Sequence, residues 1–179
     1  MVVSIVGVPG CENFVRDDVR DDFARDDAMT PQDPANRQVR ARKWRQCVAA
    51  CVAEFEVFAR DQQKYLARFP MTPRRRKELE EASPQAILSF TGLLEGSFDI
   101  AILRDVDADD RDFLKRMFNR RHLFAHKGGT VDQEYLHRTR DTTVQLNEVV
   151  VVRSREVSRL LDLLLRVSAN LVEGVESLG

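Results

Sequence analysis

The chain has 179 residues, 43% hydrophobic and 32% charged, with a formal net charge of −1. That length suits one domain with a core of its own, and the balance excludes disordered, fibrous and membrane-embedded classes. The small net charge supplies no global field for nucleic acid. It is uneven, however: residues 1–35 hold three arginines against eight acids, leaving +4 on the remainder, which permits an anionic partner.

The opening "MVVSIVGVPG" lacks a basic n-region, and its apolar run is too short for a signal peptide. No stretch is long enough to span a membrane. Three cysteines do not make a disulfide framework: Cys11 stands alone, while Cys47 and Cys51 are four apart among apolar residues, as small core residues on one helix face would be. A cytoplasmic location is expected. Residues 1–35 read as a loose acidic segment. "RDDVRDDFARDD" is nearly all charge and "TPQDPAN" is a breaker cluster, while "VVSIVGV" allows a stray strand. The segment reads as a tail or as the remnant of a larger upstream piece, and the helical domain is expected over 36–179.

From Asn36 to about Phe69, Trp44, Val48, Cys51, Phe55, Phe58, Leu66 and Phe69 recur mostly at three- and four-residue steps, a helical period. "FPMTP" ends this helix. Thr72-Pro73 then offers a cap and first helical position for "RRRKELEEA", and Ser83-Pro84 repeats the signal, starting a further helix or kinking a longer one. That helix carries Ile87, Phe90, Leu94, Phe98 and Ile102. Gly92 and Gly96, one turn apart, are either a smooth strip for close helix approach or tolerated weak spots. "RDVDADDRD" resembles a calcium loop only superficially. Asp110 stands where the sharp-turn Gly belongs and Arg116 where the closing Glu belongs, so capping by Asp107 or Asp109 is expected instead.

A third main helix is expected from about Asp109 to Lys127, stopped by Gly128-Gly129. A short helix capped by Thr130 follows, then "EVVVV" (148–152) as a short strand or extended link. Ser154 opens a last helix with Val157, Leu160, Leu161, Leu164, Val167, Leu171 and Val175 on one side. No internal repeat is present. The expected fold is all-α, a bundle of four or five helices with a short extended segment.

The 109–127 helix carries the candidate chemistry, in "NRRHLFAHKGG" (119–129). With Phe113 at zero, Phe124, Met117, Leu114 and Phe118 fall at about 20°, 40°, 100° and 140° on an ideal helix, and Arg121 at about 80°. A permanent cation thus points from the apolar face and must pair, snorkel or line a polar pocket. Two resolutions are open: a buried acid such as Glu95 or Asp99 pairs with it, or the face is a contact between two copies around a polar cleft. His122 and His126 fall at the edge of that face, near about 180° and 220°. Read as a metal site, His-x3-His lacks a third ligand set and the H-E-x-x-H signature. No metal or cofactor is expected.

"RHLFAH" resembles the signature of the HEPN superfamily, all-helical domains named for higher eukaryotes and prokaryotes nucleotide-binding. Arg121 matches its Arg, His122 the polar residue after it and His126 its His. The likeness covers roughly residues 36–178, with the motif in the last turns of a late helix. It implies metal-independent endoribonuclease activity, with two copies of the motif meeting in a homodimer. A toxin or phage-defence role with an antitoxin partner would fit such a protein.

The residues can be read the same way on their own chemistry. RNA carries its own nucleophile, the 2′-OH. Histidine can take that proton or protonate the leaving 5′-oxygen, and arginine serves as a fixed clamp on phosphate. His126 lies in the last turn, where the helix dipole favours a cation, which suits an acid. The expected catalytic set is Arg121, His126 and His122, with Asn119, Arg120 and Lys127 contacting RNA. Arg121 and His126 stand about 140° apart on the wheel, wide for one small site; a symmetric dimer would supply two of each group. The alternative is a non-catalytic helical module that binds nucleotide, RNA or a partner protein.

Overall fold

The computed structural model describes residues 34–178; Cys11, "VVSIVGV" and the acidic segment lie outside the described residues. Six helices occur among them: α1 (Pro34–Leu66), α2 (Pro73–Glu81), α3 (Ile87–Phe98), α4 (Ala108–His126), α5 (Gln133–Thr139) and α6 (Ser154–Glu176). The protein is all-α, with α1, α3, α4 and α6 forming the bundle and α2 and α5 as short additions.

α1 is the spine. Its buried residues Trp44, Cys47, Val48, Cys51, Phe55 and Ala59 follow the helical period, and they pack chiefly against α6 and α4. Both cysteines are core residues, as expected. Phe55 meets Phe118 edge-on at 5.8 Å, and Arg45 Nη1 donates to the Gly128 carbonyl at 2.8 Å. α4 therefore runs antiparallel to α1. Burying each such Leu or Phe side chain contributes about 1.5–3 kcal/mol, so this apolar seam dominates the fold's stability. α6 closes the bundle with Val157, Leu160, Leu164, Val167 and Leu171 inward.

Local chemistry sets most element ends. Thr72 caps α2, its Oγ1 accepting from Arg75 N. Asp107 caps α4, its Oδ1 accepting from Asp110 N at 2.8 Å. Gly128 and Gly129, at φ 61° and 88°, end α4 as read from sequence, with Lys127 N and Gly129 N both donating to Leu123 O. Only glycine adopts two consecutive left-handed conformations cheaply.

Several boundaries differ from the sequence reading. Ser83-Pro84 neither caps nor kinks a helix: Ala86 N donates to Ser83 O in a turn, and α3 begins at Ile87. α3 stops at Phe98 because Asp99 turns left-handed, so Ile100 and Ile102 are buried from the connecting loop. α5 is capped by Asp132, whose Oδ1 accepts from Tyr135 N, not by Thr130. Thr130 instead forms an antiparallel bridge with Val149. Val131 N donates to Glu148 O, and Val150 N to Gly129 O. Across 149–152, Val150 and Val152 are buried while Val149 and Val151 are exposed, the alternation of an extended link. Arg153 precedes α6 as its cap, with Ser154 as the first helical residue.

Two buried polar groups stitch the connections. Gln63 of α1 donates to the carbonyls of Leu79 and Ala82 at the end of α2. Asn170 of α6 donates to Ile102 O at 3.1 Å. Each satisfies loop or helix-end carbonyls that burial would otherwise leave unpaired.

Candidate functional site

The end of α4 presents the motif to solvent. His122 and His126 are both exposed, one turn apart. Their rings lie 4.8 Å apart, centroid to centroid, and tilted by 53°. Lys127 is exposed immediately after them. Arg45 reaches this end from α1, its guanidinium divided between Ala41 O and Gly128 O, and so adds positive charge where the helix carbonyls concentrate negative potential. Asn119 is half-buried and donates back to Lys115 O at 2.8 Å. Two neighbouring imidazoles are therefore open to solvent, with an exposed lysine at the following position. Among the described residues, no group of three or more His, Cys, Asp or Glu is placed to hold a metal ion.

Arg121 points elsewhere. Its guanidinium lies 3.6 Å from Glu56 of α1, with side-chain exposures of 24% and 11%. Glu56 also accepts from Gln85 at 3.2 Å. The internal acid partner foreseen for Arg121 thus exists, but it is Glu56 rather than Glu95 or Asp99. The apolar face of α4 is covered within the chain, by Phe55 among others, so it is not left open for a second copy. At 3.6 Å the pair is beyond ordinary hydrogen-bond range.

Among the described residues, the arginine whose charge is most deeply buried is Arg120, its side chain only 6% exposed. Its Nε donates to the Tyr135 hydroxyl at 3.1 Å, Nη1 to Glu156 at 2.9 Å and Nη2 to Asp141 at 3.0 Å. Tyr135 in turn donates to Asp141 at 2.6 Å, and the other Asp141 oxygen accepts from Thr143 N and Oγ1. Glu156 also accepts from Arg153 N. Arg120 was expected at the RNA surface; its donors are instead spent on joining α4, the 131–150 excursion and α6.

The ionisation states fit that role. Burial pushes the Asp141 carboxyl up, but hydrogen bonds from Thr143, Tyr135 and Arg120 outweigh it and hold it at about 2. Burial raises the Tyr135 phenol most, and despite the pull of Arg120 it stands at about 12. Burial opposes the Arg120 charge, yet its partners together raise its pKa. At neutral pH Arg120 is therefore a cation, Asp141 an anion and Tyr135 a neutral phenol.

The sequence held a signal for Arg120. On the same wheel Leu123 falls near about −80° and Arg120 near about −20°, inside the arc once Leu123 is counted with it. What the wheel lacked was the far side, because Tyr135, Asp141 and Glu156 arrive from three later segments.

A concave surface among the described residues lies away from the histidines. It is a shallow groove of about 480 Å³ between the start of α4 and α6, lined by Asp110, Arg155, Arg159, Asp162 and Arg166 among others. Arg159 is engaged by Asp110 and stacked 4.5 Å over Phe113. Its charges are mixed and partly neutralised, so it lacks the open cationic character of the α4 terminus. Comparisons with protein-family models, with curated proteins and with solved structures returned no match.

Proposed function

We propose that this chain is a metal-independent endoribonuclease of the HEPN type, with its working surface at the end of α4. The observation that carries this reading is the exposed His122–His126 pair, two proton-transfer groups 4.8 Å apart beside Lys127. In this reading one imidazole takes the 2′-OH proton and the 2′-oxygen attacks phosphorus. The other imidazole protonates the departing 5′-oxygen, leaving a 2′,3′-cyclic phosphate and a free 5′-OH. His126 is assigned the acid role and His122 the base. Lys127 supplies nearby positive charge. Arg121 joins as a phosphate clamp by exchanging its 3.6 Å contact to Glu56 for the substrate, while Glu56 keeps its hydrogen bond from Gln85. Arg120 positions α4 and does not touch RNA. Two copies opposing the outer face of α4, with Asn119, His122 and His126, would form the homodimer, and an antitoxin protein would cover the same face.

The Arg121–Glu56 pair favours a second reading, a non-catalytic module that binds RNA or a nucleotide through the same cationic end. One assay separates them: end-labelled RNA incubated with and without EDTA. The nuclease reading expects cleavage in chelator with cyclic-phosphate ends. It also expects His126→Ala and His122→Ala each to lower the rate by about 10²- to 10⁴-fold, and Arg121→Ala to lower it too. Both histidines are exposed, so these variants keep the wild-type melting transition. RNA binding without cleavage by the wild type selects the module. Loss of activity in EDTA removes the metal-free mechanism, and equal cleavage by wild type and His126→Ala identifies a contaminating nuclease.

A further inference from the structure

A second basic stretch lies at the end of α1 away from the histidines. Residues 60–77 hold seven lysines and arginines against one acid, Asp61, in a chain whose net charge is −1. Some of that charge is engaged. Lys64 pairs with Asp61 at 2.8 Å, Arg74 with Glu78 at 2.8 Å and Lys77 with Glu81 at 3.8 Å, while Arg76 donates to Ala67 O. Arg60, Arg68 and Arg75 are exposed and have no carboxylate or carbonyl partner for their side chains among the described residues.

An aromatic platform sits within this charge. Tyr65 is 46% exposed. Phe69 packs edge-on against it at 5.6 Å, and the Arg68 guanidinium lies 5.7 Å over its ring. The local fold makes this arrangement. α1 ends at Leu66, and a tight turn, with Arg68 N donating to Tyr65 O and Phe69 N to Leu66 O, brings Phe69 back onto Tyr65. The buried face of the same segment is taken by Ala59, Gln63 and Leu66, so Arg60 and Lys64, one turn apart, face outward, and Arg68 is exposed on the turn that follows.

We infer that this corner of α1 and α2 is a docking surface for single-stranded RNA, with Tyr65 stacking a base and Arg60, Arg68 and Arg75 neutralising the flanking phosphates. Stacking on an exposed ring needs an unpaired base, which a duplex withholds, and the Arg68 guanidinium at the ring, with Arg60 and Arg75 exposed on the neighbouring turns of α1 and α2, suits a strand's phosphates. An anionic membrane would be met by charge alone, and the patch exposes one aromatic ring rather than an aliphatic face to insert. Twenty residues of helix separate Tyr65 from Arg45, which touches the turn after His126, so the corner stands about 30 Å along α1 from the histidines. It is a second contact for the strand. The inference names how substrate is held if the nuclease reading is right, yet it needs no catalysis.

The test is fluorescence anisotropy on the full chain with a labelled oligouridine of roughly 12 nucleotides made entirely of 2′-O-methyl residues, long enough for single-strand binding. That probe lacks the 2′-OH nucleophile, so its binding is independent of whether the protein cleaves. The expected result is tighter binding of the single strand than of the same strand annealed to its complement. Tyr65→Ala weakens binding by about 5- to 100-fold and Tyr65→Phe, which keeps the ring, restores most of it. The triple variant Arg60→Gln, Arg68→Gln, Arg75→Gln weakens binding at least tenfold and reduces the slope of log affinity against log salt by about 2, as loss of three phosphate contacts requires. All the substituted side chains are exposed, and unchanged circular-dichroism melts verify the fold. Equal affinity and salt slope in wild type and triple variant overturn the inference. So does an equal preference for duplex, or binding to phosphatidylserine vesicles without binding to the oligonucleotide.

Discussion

Arg120 and Arg121 are neighbours in sequence with opposite fates, and one step of about 100° around the helix separates them. Arg120 reaches three partners that hold it as a buried charge; Arg121 reaches a single carboxylate at a loose distance. The consequence for stability follows from Asp141, whose pKa falls from 3.8 to about 2 on folding. A depressed carboxylate pKa stabilises the fold above the unfolded value, and that stabilisation is lost as pH falls through the folded value. The group therefore contributes about 2 kcal/mol at neutral pH, lost between about pH 4 and pH 2. Tyr135 has the reverse sign: raised from 10.0 to about 12, it stabilises below pH 10 and loses that contribution as pH rises to about 12. Asp141→Asn is expected to destabilise by about 3 kcal/mol at neutral pH, because Arg120 loses a buried partner, and to flatten the acid limb. Urea unfolding at a series of pH values checks both; an acid limb unchanged in the variant would move the titrating group elsewhere.

At the scale of elements, glycines distinguish surface from seam. A Cβ built on Gly92 or Gly96 of α3 meets nothing within 4 Å, and both are exposed. The smooth-strip reading of this pair is therefore wrong, and they are weak spots that cost helix stability. Gly92→Ala and Gly96→Ala are each expected to stabilise by about 0.5–1 kcal/mol. Gly174 of α6 is the place where close approach matters, since its Cβ would run into Ile100 Cγ2 and lie 3.2 Å from Ile100 Cβ. Ile100 is buried and β-branched and has little room to yield, so Gly174→Ala is expected to destabilise by about 1–3 kcal/mol. Thermal melts of the three single variants rank them, and a Gly174→Ala melt at or above wild type would contradict the packing argument.

For the whole molecule, α4 spends its inner face on α1 and leaves a polar outer face with the histidine pair. In the proposed shared groove, a second copy would meet that outer face. The nuclease reading with a shared groove expects a dimer by light scattering at micromolar concentration, and it expects Asn119→Arg to shift that dimer toward monomer by placing like charges across the axis. A monomer that still cleaves would assign both proton transfers to one chain, with His122 and His126 as its complete pair. The α1–α2 corner lies at the other end of the spine, so the two cationic ends would engage different parts of one strand.

The positions of the elements were legible in the sequence wherever a local rule decides them. Hydrophobic period marked α1, α4 and α6, Thr72 and Asp107 marked caps, and the glycine pair marked the end of α4, because each depends on residues within one or two turns. The histidine pair was legible for the same reason: a four-residue spacing on a helix brings two rings together. Tertiary structure alone decided which partners bury Arg120, that Glu56 faces Arg121, that Asp132 rather than Thr130 begins α5, and that Gly174 is the tight contact. Those outcomes depend on groups up to tens of residues away, such as Asp141 and Glu156 closing on Arg120. A helical wheel places a charge on a face, but the partner that makes its burial affordable comes from another part of the chain.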